Sequence, residues 1–271
     1  MTPLTHFSLF SGIGGLDLAA EWAGFRTIGQ VEYANYPFWV LRQRFGRMPR
    51  WRDIRDVTGE AIIERCGVPT VISGGFPCQP HSLAGKRLAS CDERDLWGEL
   101  ARVVREVKPR WFVGENVAGI RSSESGRFFG RVLRDLAEMG YTVGWGSWEA
   151  ADVGAPHHRE RVFIVAHTDL PRPQGRVCGS VSKRPGKRVA RSRGALSNPS
   201  RELSHWSGGA RHRRAEPANG RWWDSEPPVG RVVDGISHRV DRLRCLGNAV
   251  VPQQAYPIFQ AIAAIEMGAI A

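Results

Sequence analysis

The 271 residues carry 38 Lys and Arg against 27 Asp and Glu, a formal charge of +11, with 42% apolar and 9% aromatic side chains. An apolar fraction of that size in a chain this long can bury a sizeable core, which excludes a disordered polypeptide and suits one domain with room for an appended lobe. There is no run of about 18 apolar residues, and the start, Met1-Thr2-Pro3-Leu4-Thr5-His6, lacks the charged and apolar regions of a secretory signal, so membrane spans and export are not expected.

Residues 1–166 alternate short apolar runs with amphipathic stretches, the pattern of an α/β domain built on a mainly parallel sheet. Strands are predicted at 5–10, 27–31, 70–73, 111–114, 141–145 and 161–166, and helices at 16–22, 37–45, 60–65, 96–106 and 128–139. In the fourth helix Leu96, Leu100, Val103, Val104 and Val107 recur at helical spacing. Composition changes after Ala166. Residues 167–228 hold 15 apolar residues, 22 Gly, Pro or Ser, and 13 Lys or Arg against 5 Asp or Glu, so this stretch carries +8 of the +11 and is expected to be an irregular basic lobe. A solvated linker has similar charge, although Trp206, Trp222 and Trp223 are unusual in one. Apolar character returns at 229–233 and 243–251. Residues 253–267 read as an amphipathic helix with Pro252 at its start, so 229–271 is expected to pack back on the first domain.

The chemistry-bearing residues fall at the ends of the predicted strands. Ser11-Gly12-Ile13-Gly14-Gly15 turns from the first strand into the first helix; glycines there allow a ligand close to a helix N-terminus, though a purely structural turn reads the same. Glu32 ends the second strand, where a carboxylate can hold ribose hydroxyls, and Asp53-Ile54 follows a third short element. Gly74-Gly75-Phe76-Pro77-Cys78-Gln79-Pro80-His81-Ser82 puts a cysteine on a loop at the edge where open α/β sheets place ligands: a nucleophile, or a passive thiol. The strand at 111–114 runs into Glu115 and Asn116, an acid and an amide able to face an aromatic base. In Pro156-His157-His158-Arg159-Glu160-Arg161 alternation points Arg159 and Arg161 to one face. The other cysteines, Cys66, Cys91, Cys178 and Cys245, form no metal spacing and no paired framework, so no metal and a reducing, cytoplasmic compartment are expected. Of the 38 basic residues only four are lysine. Arginine suits phosphate and guanine recognition, and a GC-rich codon bias would leave the same mark.

Taken in order, these blocks resemble the DNA cytosine-5 methyltransferase family. Phe10-Ser11-Gly12-Ile13-Gly14-Gly15 is similar to its cofactor motif, Pro77-Cys78-Gln79 to its nucleophile motif and Glu115-Asn116-Val117 to its Glu-Asn-Val motif. Arg94, Leu96, Trp97 and Lys108-Pro109 resemble its intervening segment, Arg159-x-Arg161 its Gln-x-Arg-x-Arg block, and Leu246-Gly247-Asn248-Ala249-Val250 its C-terminal motif. The resemblance covers about residues 5–166 and 226–267 and leaves the basic stretch where the family carries its target-recognition region. Two departures stand out: His157 replaces the usual glutamine, and the Arg-x-Leu-Thr-x-x-Glu block is missing unless 230–239 is a diverged substitute.

The resemblance implies a Rossmann-like methyltransferase fold with S-adenosylmethionine as donor, held by Phe10, Gly12, Gly14, Gly15, Glu32, Asp53, Ile54 and Asn248. It implies that Cys78 adds to cytosine C6, that Glu115 binds N3 and the exocyclic amine, and that Arg161 with Arg159 stabilises the developing charge, while Pro77, Gln79, Ser82 and Asn116 shape the loop around a flipped base. The implied partner is duplex DNA, met by a monomer, with a cognate restriction endonuclease acting separately or a solitary or prophage setting all compatible. A tRNA cytosine methyltransferase and a non-catalytic DNA-binding relic are the competing readings. Ser82 and the basic insert speak against the first, and the full set of catalytic residues against the second.

Overall fold

The computed structural model describes residues 3–77, 96–169 and 239–269; Cys78, Gln79, Ser82 and the basic stretch 170–228 lie outside these, as does 229–238. Strands β1 (Thr5–Leu9), β2 (Arg26–Val31), β3 (Arg50–Trp51), β4 (Val71–Gly75), β5 (Trp111–Val117), β6 (Thr142–Trp148) and β7 (Arg161–His167) form one sheet in the order β3-β2-β1-β4-β5-β7-β6. The first five run parallel, whereas β7 inserts antiparallel between β5 and β6. Every strand and helix predicted in the described residues is present. The two-residue β3, too short to leave a periodic signal, and the helix Arg239–Asn248 are additional.

Alternation along the strands feeds two cores. Phe7, Leu9, Ile72, Phe112, Val162 and Ile164 face helices α3 (Gly59–Cys66), α4 (Trp97–Val107) and α5 (Arg127–Glu138). Val71, Trp111, Val113 and Phe163 face α1 (Gly15–Trp22) and α7 (Pro252–Glu266). In α4 the predicted stripe Leu100, Val103, Val104 and Val107 is fully buried together with Trp97, each side chain contributing about 1.5–3 kcal/mol by leaving water. Helix α2 (Asn35–Arg44) flanks β2, and α6 (Arg239–Asn248) leads into α7 with Val240, Leu243 and Leu246 exposed.

Polar side chains of β1 lie within this core and are satisfied there. Buried His6 bonds Thr27 Oγ1 at 3.2 Å and Ser73 Oγ at 2.7 Å, and burial pushes its pKa down to about 3, so the ring is neutral. Asp17, in the first turn of α1, accepts from Ser8 Oγ at 3.0 Å and Gln30 Nε2 at 2.7 Å; burial outweighs these bonds and raises its carboxyl to about 6. The network ties α1 to β1 and β2 directly beneath the glycine turn. Among the described residues no helix is long and apolar enough to cross a membrane.

Candidate active site

The C-terminal ends of β1, β2, β4 and β5 open onto a cavity of about 860 Å³, closed on its far side by residues 241–250. Its first wall is the turn after β1. Phe10 takes a positive φ of 53°, Gly12 one of 55° and Gly14 one of 88°, so the chain folds back tightly enough for Gly14 N to reach Ser11 O at 2.8 Å. A side chain on Gly15 would bring its Cβ within 2.5 Å of Val250 O: the C-terminal segment lies directly on the glycine turn. Glu32 joins that turn to the end of β2, one carboxylate oxygen accepting from Gly12 N and the other from Ala34 N, both at 2.8 Å. Burial raises its carboxyl despite both bonds.

The opposite wall belongs to β4 and β5, whose register sets Gly75 against Glu115. A Cβ at Gly75 would come to 3.0 Å from Glu115 Oε2, so a side chain there would press the carboxyl aside by a few tenths of an ångström. Glu115 is 8% exposed and pairs through Oε1 with Arg161 Nε at 2.9 Å. Burial outweighs the nearby positive charges of Arg161 and Arg159 and pushes its pKa up to about 7. Asn116 donates from Nδ2 to Phe76 O at 2.9 Å and accepts from Val117 N, which fixes the backbone one residue before Pro77. Pro77 lines the cavity and is the last described residue before Cys78.

The sequence-derived candidates are thus partly brought together. Phe10, Gly12, Gly15, Glu32, Pro77, Glu115, Asn116, Arg161 and Asn248 line the cavity, and Gly14 supports it from behind against the ring of Phe45. Asp53 and Ile54 are not among the lining residues. The Asp53 carboxylate pairs with Arg55 at 2.6 Å and caps a short turn, while Ile54 is buried in the core. Arg159 lies two residues before the start of β7 at Arg161, close enough for its charge to act on both Arg161 and Glu115. Its guanidinium donates to Gly247 O at 2.8 Å and Ala249 O at 2.6 Å. His157 is exposed. Tyr36, Asp241, Arg244 and Cys245 also line the cavity; no periodicity or motif in the sequence pointed to them, since α2, which carries Tyr36, and α6, which carries the other three, reach the site only through the tertiary fold. Among the described residues no three His, Cys, Asp or Glu are grouped to hold a metal ion.

The cavity sets a glycine turn at a helix N-terminus beside the partly buried Glu32 carboxylate, which already accepts from Gly12 N, within a volume that suits a small organic ligand.

The chain is similar to known proteins. The family description C-5 cytosine-specific DNA methylase matches residues 4–187. The Type II methyltransferase M.NgoBI of Neisseria gonorrhoeae is 37% identical over 164 residues, 59% of this chain and 50% of its own length. M.HhaI of Haemophilus parahaemolyticus is 32% identical over 166 residues, 61% of this chain and 49% of its own. Among solved structures, a candidate DNA modification methyltransferase encoded within a prophage (E. coli) has a TM-score of 0.53 at 29% identity, covering 61% of this chain and 47% of that one. DNMT2 of Spodoptera frugiperda has a TM-score of 0.53 at 22% identity over 68% of this chain and 56% of its own, a likeness of fold alone. The chain spans about half the length of the curated relatives M.NgoBI and M.HhaI. More than half of the chain falls within the family match, over the same residues that build both walls of the cavity, and it therefore belongs to the C-5 cytosine-specific DNA methylase family.

Proposed function

We propose that the protein transfers a methyl group from S-adenosylmethionine to C5 of a cytosine in duplex DNA. The observation that carries this reading is the buried Glu115–Arg161 pair, 2.9 Å apart, facing the glycine turn across one cavity. S-adenosylmethionine bound against that turn and Glu32 supplies an electrophilic methyl group. The chain's own residues supply the rest. Cytosine C5 is a weak carbon nucleophile, and the Cys78 thiolate activates it by adding to C6, the displaced ring electrons moving toward N3 and C5. Glu115, protonated up to about pH 7, donates to N3 and accepts from the exocyclic amine. Arg161 holds the carboxyl in place and sets a positive charge where the carbonyl oxygen O2 gains electron density. Once C5 carries the methyl group, loss of its proton and departure of the Cys78 thiolate restore the ring. None of these atoms is reachable inside a duplex, so the base must leave the stack. The basic stretch 167–228 supplies phosphate contacts and base readout.

Bisulfite sequencing of DNA from cells expressing the protein tests this directly. Protected cytosines in one recurring sequence are expected; unprotected DNA, with methylation of tRNA by the purified protein, would replace this reading by the RNA one.

Glu32→Ala removes the acceptor for two backbone N–H groups and for the cofactor hydroxyls, so cofactor affinity should fall by about 1–3 kcal/mol. Asp53→Ala should cost less, because that carboxylate is bound to Arg55 and does not line the cavity. Calorimetric titration with S-adenosylmethionine measures both; equal losses, or none at Glu32, would contradict the assignment.

A further inference from the structure

The C-terminal wall of the cavity, residues 247–250, is bonded by Arg159, and the backbone of Arg159 is in turn held by a side chain that no sequence motif singled out. Gln254, in the first turn of α7, is fully buried. Its Nε2 donates to Trp148 O at 3.1 Å and to Arg159 O at 2.9 Å, while Trp148 Nε1 donates back to Gln254 O at 3.0 Å. Trp148 is itself immobilised by stacking on Phe163, with ring centroids 4.6 Å apart and planes 16° from parallel. The main chain at Arg159 is thereby pinned to the start of α7. From there its guanidinium reaches across to the carbonyls of Gly247 and Ala249, the two residues flanking Asn248. The next carbonyl, of Val250, is the one pressed on Gly15. Two residues beyond Arg159 along the chain, Arg161 grips Glu115.

We propose that Gln254 and Arg159 form a positioning latch. Gln254 fixes the backbone from which both arginines project, and Arg159 fixes the carbonyl wall that closes the cofactor pocket over the glycine turn. Cofactor pocket and base-binding edge are then set by one rigid junction, and Arg159 acts through the wall rather than by touching the base. The proposal rests on the cofactor assignment above. Its chemistry is specific: both bonds leave one nitrogen, Nη2, whose two N–H groups are held in the guanidinium plane, whereas the three N–H groups of a lysine sit on a shorter, freely rotating stem.

Arg159→Ala, Arg159→Lys and Gln254→Ala should be compared with the full chain by calorimetric titration with S-adenosylmethionine and by amide hydrogen exchange over residues 247–251 without cofactor. Losing charge-assisted bonds to the wall should weaken cofactor binding by about ten- to a hundredfold in Arg159→Ala. Exchange at 247–251 should rise, and the lysine variant should recover part of both. KM for the cofactor should rise more than kcat falls. Gln254→Ala removes the Nε2 donor from Trp148 O and leaves Arg159 O with Ala150 N alone, and can fail to fold; the partly exposed Arg159 variants decide the matter if it does. A folded Arg159→Ala with wild-type cofactor affinity and unchanged exchange overturns the latch. Raised exchange together with no cofactor binding by the wild type sustains the latch and overturns the cofactor assignment instead.

Discussion

Duplex DNA carrying 5-fluorocytosine at the target position is expected to trap the protein through Cys78. Release of the thiol requires loss of a proton from C5, and fluorine cannot leave as a proton does, so the bond between sulfur and C6 persists through denaturation. The trap should need S-adenosylmethionine and should vanish in Cys78→Ser, whose turnover should drop by roughly 10⁴-fold or more because a hydroxyl is scarcely ionised at neutral pH. The two described cysteines are poor rivals. Burial pushes the Cys66 thiol up to about 11, and Cys245, although it lines the cavity, is also raised, by burial first and then by the negative charges of Glu32 and Asp241. Mass mapping of the adduct to Cys245 or any other cysteine would reject Cys78 as the nucleophile.

Glu115→Gln should lower kcat by about 10²–10⁴-fold while leaving the fold intact. The amide oxygen can still accept from Arg161 Nε, so the buried guanidinium keeps a partner, but the amide has no acidic proton to give to N3. In the wild type, that proton is held up to about pH 7, and kcat should decline above it as the carboxyl ionises. The same shift has a stability signature. The folded state keeps its proton between the ordinary value of 4.5 and about 7, where the unfolded chain has already lost it, so stability falls as pH rises through that window and levels off above it. Asp17, raised to about 6, acts in the same direction in both proteins, and the difference between them isolates Glu115. Urea unfolding of wild type and Glu115→Gln at several pH values should show a steeper decline for the wild type; parallel curves would mean that Glu115 is ionised throughout.

Local sequence carried the elements and the chemistry types. The stripe through α4 is visible because its period matches the helix, and the turn after β1 because only glycine takes positive φ freely at Gly12 and Gly14. Glu115 and Asn116 were legible as an acid and an amide ending an apolar strand. Strand direction was not: β7 alternates like any strand, and only pairing shows it running antiparallel to β5, which opposes Val117 to Arg161 and brings that guanidinium to Glu115. Nor could spacing reveal that Arg159 bonds the carbonyls of Gly247 and Ala249, that Asp53 is taken by Arg55, or that Ile54 faces the core. A residue's type and its place along an element follow from short-range sterics and hydrophobic period, which the sequence states outright. Which groups meet depends on strand order and on contacts between distant segments, and those are decided only when the two cores close around the sheet.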